Sequence, residues 1–183
     1  MSRVSGNVIV LSGPPGAGKT TVGPMLARRS DRLAVCLALD AMFRSIGAGF
    51  VLPFLPAARE QNGVVIAATA AAAAAFARGG YDVVVEGIFG PWYLPPFRAL
   101  SGAGAASVSY VVLRPDLSTT LSRAQDRDER ELRDAGPITG LYEALADLGE
   151  LERHVLDTTG LSPAQTVALV QEGVAAGRYR LSP

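Results

Sequence analysis

The segment GPPGAGKT at residues 13–20 constrains this chain more than any other. It follows the apolar run Val8 to Leu11 and opens onto TVGPMLARR, so a strand, a glycine-rich turn and a helix are expected in direct succession. Gly13, Gly16 and Gly18 let the backbone wrap an anion with its N–H groups, and the helix N-terminus adds partial positive charge. The spacing fits G-x-x-x-x-G-K-[ST], in which Lys19 reaches the β- and γ-phosphates and the Thr20 hydroxyl ligates Mg²⁺. Gly13, Pro14, Pro15, Gly16, Ala17, Gly18, Lys19, Thr20 and Thr21 are therefore expected to hold ATP with Mg²⁺. Lys19 is the only lysine among 17 basic residues, so a chain that otherwise uses arginine places a compact ammonium where phosphate oxygens would converge.

The 183 residues suit one domain with a real core, and 1–183 is read as such. Strand-like runs at Val8 to Leu11, Leu33 to Leu39, Val83 to Val85, Val108 to Leu113 and, more weakly, His154 to Leu156 alternate with helical stretches. That alternation predicts an α/β fold with a largely parallel sheet covered on both faces, because the runs are continuously apolar. VVIAATAAAAAAFA at 64–77 is too short to cross a bilayer and reads as a buried helix. Seventeen acidic residues cancel the basic ones, which argues against a nucleic-acid partner. The single Cys36, in LAVCLAL, and a first apolar run too short for a signal peptide point to a reduced, cytoplasmic compartment without a membrane.

Several side chains are candidates for chemistry. Asp40 closes LAVCLAL and begins DAMFRSI, at the carboxyl edge of the second strand, where it could act as general base on an acceptor hydroxyl or cap the next helix. Glu86 ends YDVVV and could serve the metal, the acceptor or an arginine. Asp82, at the other end of that strand, reads as structural. Arg123, Arg127 and Arg130 share one helix face in TLSRAQDRDERELR and could close as a lid over about 123–137, with Arg123 and Arg127 on the nucleotide and Arg127 and Arg130 on the transferring phosphoryl group. Their alternative is a solvated, ion-paired helix. Arg114 could add a contact to nucleotide or lid, and the sole histidine, His154, reads as structural. The turn DTTG at 157–160 would pass beside the adenine through Thr158, or merely cap a helix. SIGAGFVLPFLP at 45–56 and GIFGPWYLPPF at 87–97 are candidate walls of an acceptor pocket holding Asp40, Phe43, Arg44, Glu86, Phe89 and Trp92, or else apolar loops packed on the sheet.

Taken together, the GPPGAGKT turn, the carboxylate after strand two, the R-x₃-R-x₂-R run and the late DTT resemble the small P-loop kinases, and chloramphenicol phosphotransferase most of all. The resemblance implies a P-loop NTPase three-layer sandwich with a five-stranded parallel sheet ordered 2-3-1-4-5, Asp40 as base and an arginine lid closing over ATP. It does not extend to the acceptor segments, and gluconate kinases and toxin kinases share the scaffold. The expected activity is transfer of the ATP γ-phosphate to a hydroxyl of a small, partly apolar molecule. Alternatives are a nucleotide or polynucleotide 5′-hydroxyl kinase and a non-kinase ATPase or switch.

Overall fold

A computed structural model describes residues 5–102, 106–125, 132 and 134–183. Five strands, β1 (Asn7–Ser12), β2 (Ala34–Ala38), β3 (Asp82–Glu86), β4 (Ser107–Leu113) and β5 (Val155–Leu156), form one sheet in the order β2-β3-β1-β4-β5. Every neighbouring pair is parallel, with Leu11 opposite Glu86 and Ala38 opposite Glu86 in turn. The order is the one the kinase resemblance implied.

Alternation along each strand explains the two cores. Val8 and Val10 of β1, Val83 and Val85 of β3, and Val108, Tyr110 and Val112 of β4 face one layer. There they meet α2 (Leu39–Arg44), α3 (Arg59–Arg78) and α4 (Pro95–Gly102). The intervening Leu11, Val84, Val111 and Leu113 face α1 (Lys19–Arg28) and α7 (Pro163–Ala175) on the other side. A strand covered twice needs apolar residues at every position, which is why these runs are unbroken.

Three expectations shift. Leu33 is outside the second strand and exposed, while Leu39 already begins α2. β2 is an edge strand, half-buried throughout, so Cys36 is half-buried rather than enclosed, and its thiol is pushed up to about 11 by burial and by Glu86. The alanine-rich helix α3 buries only one stripe, from Asn62 through Val65, Ile66, Thr69, Ala70, Ala73 and Ala74 to Ala77. Val64 and Phe76 face solvent. No helix among the described residues is long and apolar enough to cross a membrane.

β5 pairs only with Val112 and Leu113, and the C-terminal tail covers more of the same edge of β4. Tyr110 N–H donates to Tyr179 O at 2.8 Å and Leu181 N–H to Val108 O at 2.9 Å. Below the sheet, Asp82 accepts from Asn7 N–H (2.9 Å) and the Ser30 hydroxyl (2.8 Å), the structural role expected of it.

Candidate active site

β1 ends at Ser12, and the turn that follows hands the chain directly to α1 at Lys19. Gly16 and Gly18 have φ of 86° and 90°, a region L side chains avoid. Gly16 also passes so close to α5 (Leu117–Gln125) that a Cβ there would run into the Thr120 carbonyl, whereas one on Gly18 would meet open space. Gly18 is the N-cap of α1 and no side chain caps it, so the helix N-terminus is open to an anion. Gly13, Pro14, Pro15, Gly16 and Ala17 are buried, while Thr20 and Thr21 are exposed on the first turn. Lys19 is 5% exposed and its Nζ donates to Pro14 O at 2.9 Å, which folds the ammonium back over its own loop.

Beside this loop lies a cleft of about 320 Å³. Gly16, Ala17, Gly18 and Thr21 line one side, Arg123 of α5 another, and Leu161, Pro163 and Thr166 the third. The dimensions and the mixed lining suit a nucleoside. Arg123 thus lines this cleft; Arg127 and Arg130, with the rest of 126–131 and 133 in the expected lid at 123–137, lie outside the described residues. Thr158 is a correction. It is 1% exposed, its Oγ1 has no hydrogen-bond partner among the described residues, and it does not line the cleft. The turn instead approaches through Leu161 and the start of α7, which Ser162 caps in a reciprocal box with Gln165. The sequence signal for this was the S-P-x-Q start of a helix, legible as a cap but not as a cleft wall.

Arg114 is also corrected. Its guanidinium donates to Leu145 O (2.8 Å), Ala146 O (2.9 Å) and both Glu152 oxygens (3.0 and 2.9 Å), a role in holding the chain ahead of β5 rather than in touching nucleotide. The pair raises Arg114 and holds Glu152 below the usual carboxylate range. His154 is fully buried with Nδ1 2.9 Å from Tyr110 O, and burial lowers its pKa, as a structural histidine should behave.

On the other side of β1, two carboxylates leave the sheet. Glu86, 6% exposed, shares the face of Val84, and its Cβ and Cγ would lie 3.2 and 3.3 Å from a Cβ on Gly23 of α1. It thus sits beside the phosphate-loop helix. Asp40 is exposed in the first turn of α2 and caps nothing, because Ala38 is the N-cap and no side-chain cap is made. Its carboxylate is presented to solvent at the carboxyl edge.

The acceptor-wall aromatics divide. Phe43 is buried at 7%, and Phe89 at 0% stacks edge-on against Phe97 with ring centroids 5.4 Å apart; both belong to the core, a correction to their reading as pocket walls. Trp92 is 53% exposed and Arg44 is exposed at the end of α2. Phe50, Leu52, Phe54 and Leu55 are exposed too. Their loop is held from behind: Gln61 pairs with Val51 N and O (2.8 and 2.7 Å), and Asn62 Nδ2 donates to Pro53 O at 2.7 Å. Gln61 and Asn62 escaped the sequence reading because polar residues at a helix start carry no distinguishing pattern.

Residues 8–140 match the family model described as an AAA domain. The chain belongs to the AAA domain family. No curated protein sequence matches it. This AAA domain chain is similar in structure to the tunicamycin resistance protein of Deinococcus radiodurans, at 21% identity and a TM-score of 0.67 over 97% of this chain and 99% of that one. It is also similar to a gluconokinase from Sinorhizobium meliloti (21%, 0.66, 95% and 94%) and to shikimate kinase from Acinetobacter baumannii (23%, 0.62, 95% and 95%). The fold of the AAA domain chain is thus that of the small P-loop kinases, as the resemblance implied.

Proposed function

We propose that the chain transfers the γ-phosphate of ATP to a hydroxyl of a small, partly apolar molecule. The observation that carries this reading is the exposed, non-capping carboxylate of Asp40 after β2, on the same sheet edge as the uncapped, lysine-bearing loop after β1. A nucleotide-binding switch has no need of such a group, whereas a hydroxyl attacking phosphorus must lose its proton. The exposed Trp92, Phe50, Leu52 and Phe54 favour an acceptor with apolar surface.

In this reading the loop N–H groups and Lys19 hold the β- and γ-phosphates, Arg123 lies along the nucleotide, and Asp40 orients the acceptor O–H and receives its proton. The acceptor oxygen bonds to the γ-phosphorus as the bond from that phosphorus to the bridging oxygen breaks, releasing ADP. Among the described residues no group of three or more His, Cys, Asp or Glu forms a metal cage. Mg²⁺ bound with a nucleotide needs only one or two protein oxygens, so the exposed Thr20 hydroxyl, with Glu86 behind it, fits that ion. When bound, Mg²⁺ would neutralise phosphate charge.

The test is ADP release from Mg·ATP across hydroxylated antibiotics, sugars, nucleosides and a 5′-hydroxyl oligonucleotide, with product masses read for one added phosphate. A phosphorylated small molecule supports the proposal. ADP release indifferent to every acceptor would make the chain an ATPase, and a phosphorylated oligonucleotide alone would make it a polynucleotide kinase.

A further inference from the structure

The last residue before the phosphate loop is tied to the acceptor-side segment by a buried hydroxyl. Ser12 Oγ donates to Phe89 O at 2.9 Å and accepts from Phe89 N–H at 2.9 Å, so both polar backbone groups of Phe89 hang on one side chain. Tyr110 OH donates to the same Phe89 carbonyl at 2.6 Å and fills its second lone pair. Alongside, Gly87 N–H, two residues before Phe89, donates to Leu11 O at 3.1 Å. Ser12, Phe89 and Tyr110 are all fully buried, so no water can stand in for a lost bond. Burial raises the Tyr110 phenol above its ordinary value, which keeps it a donor.

We propose that Ser12 and Tyr110 are positioning residues that couple the phosphate loop to segment 87–93, so that filling the loop with nucleotide sets the position of the acceptor wall. The coupling rests on the kinase reading and adds a direction to it. Any shift of the β1 terminus that accompanies phosphate binding at Gly13 acts on Ser12, its immediate neighbour. Phe89 has no slack against that hydroxyl, because its N–H and C=O are both held. Beyond it, Gly90 leads into a short 3₁₀ turn at Pro91–Tyr93, where proline stiffens the chain and carries the displacement to Trp92. Trp92 is the exposed end of this linkage and the only tryptophan in the chain, so its emission reports the linkage directly.

The experiment titrates the full chain with MgADP and with a non-hydrolysable Mg·ATP analogue, following calorimetric affinity and Trp92 fluorescence in parallel, in the parent and in Ser12→Ala and Tyr110→Phe. The expected result is a saturable emission change in the parent that follows the calorimetric isotherm. In both variants the nucleotide Kd stays within about threefold of the parent, while the emission change falls about fivefold or more, the lower bound of ordinary site-to-site coupling. A structural role alone would alter stability without separating these two readouts. Nucleotide binding with a silent Trp92 in the parent, or an undiminished response in the variants, overturns the coupling and leaves the kinase reading intact. No nucleotide binding to the parent overturns both. If Ser12→Ala fails to fold, Tyr110→Phe, which removes one donor and keeps the two Ser12 bonds to Phe89, decides the matter.

Discussion

In the proposed kinase reading, Lys19 and Asp40 are the residues whose removal separates binding from chemistry. Lys19→Ala deletes the only ammonium at the loop, and phosphoryl transfer should fall by about 10²–10³-fold, as when one preorganised donor to transition-state charge is lost. Asp40→Asn keeps the shape of an exposed group that holds no cap, so the fold should be unaffected while kcat drops by about 10²–10⁴-fold. Both are read from ADP release beside a thermal melt. The glycines of the loop differ from one another. Gly18→Ala meets strain alone and should destabilise by about 1–2 kcal/mol, whereas Gly16→Ala adds a collision with Thr120 O and should lose more, as denaturant midpoints would show. The glycine loop was legible residue by residue because its spacing is rigid. Phe89 was not, since an apolar residue just past a strand reads equally as a pocket wall or as core, and only the neighbour Phe97 decides.

Strands and helices were legible wherever the pattern had one solution. Unbroken apolar runs required strands covered on both faces, and five were found near their expected limits. The second run failed at its ends, because Leu33 and Leu39 extend the apolar pattern without extending the ladder, and pairing rather than hydropathy sets where a strand stops. The segment between β4 and β5 was misread through Arg114, whose partner Glu152 is remote in sequence and announced by no spacing. Arg114→Ala should lower stability by about 1–2 kcal/mol: it removes the partner of the part-buried Leu145 carbonyl, while water can replace it at Ala146 O and at the half-exposed Glu152 carboxylate. The folded Glu152 pKa lies below its unfolded value, so this pair contributes fully above about pH 4.3 and is lost as pH falls through the folded value. At the start of α7, Ser162→Ala removes the side-chain half of a capping box, leaving the backbone N–H bond to Gln165 in place, and should cost about 1 kcal/mol by chemical denaturation.

For the molecule as a whole, His154 is a proton-sensitive point in the core. Burial lowers the folded pKa of His154 below that of the unfolded chain, so stability is complete above about pH 6.5 and declines as the pH falls toward the folded value. Denaturation midpoints between pH 5 and 8 should show that decline, and His154→Gln should flatten it while lowering overall stability. The sheet order places β1 and its phosphate loop centrally, with the segments after β2 and β3 to one side and those after β4 and β5 to the other. In the proposed reading, nucleotide and acceptor are thereby served by separately rooted loops, and the strands that carry them need not change when a loop does. The stretch 45–56 hangs from the scaffold by α2 at one end and by the Gln61 and Asn62 brackets at the other. On the proposed reading it is accordingly a cartridge: a chimaera that receives this stretch from a small P-loop kinase, with both brackets kept, should keep the parent's grip on ATP while exchanging one taste in alcohols for another.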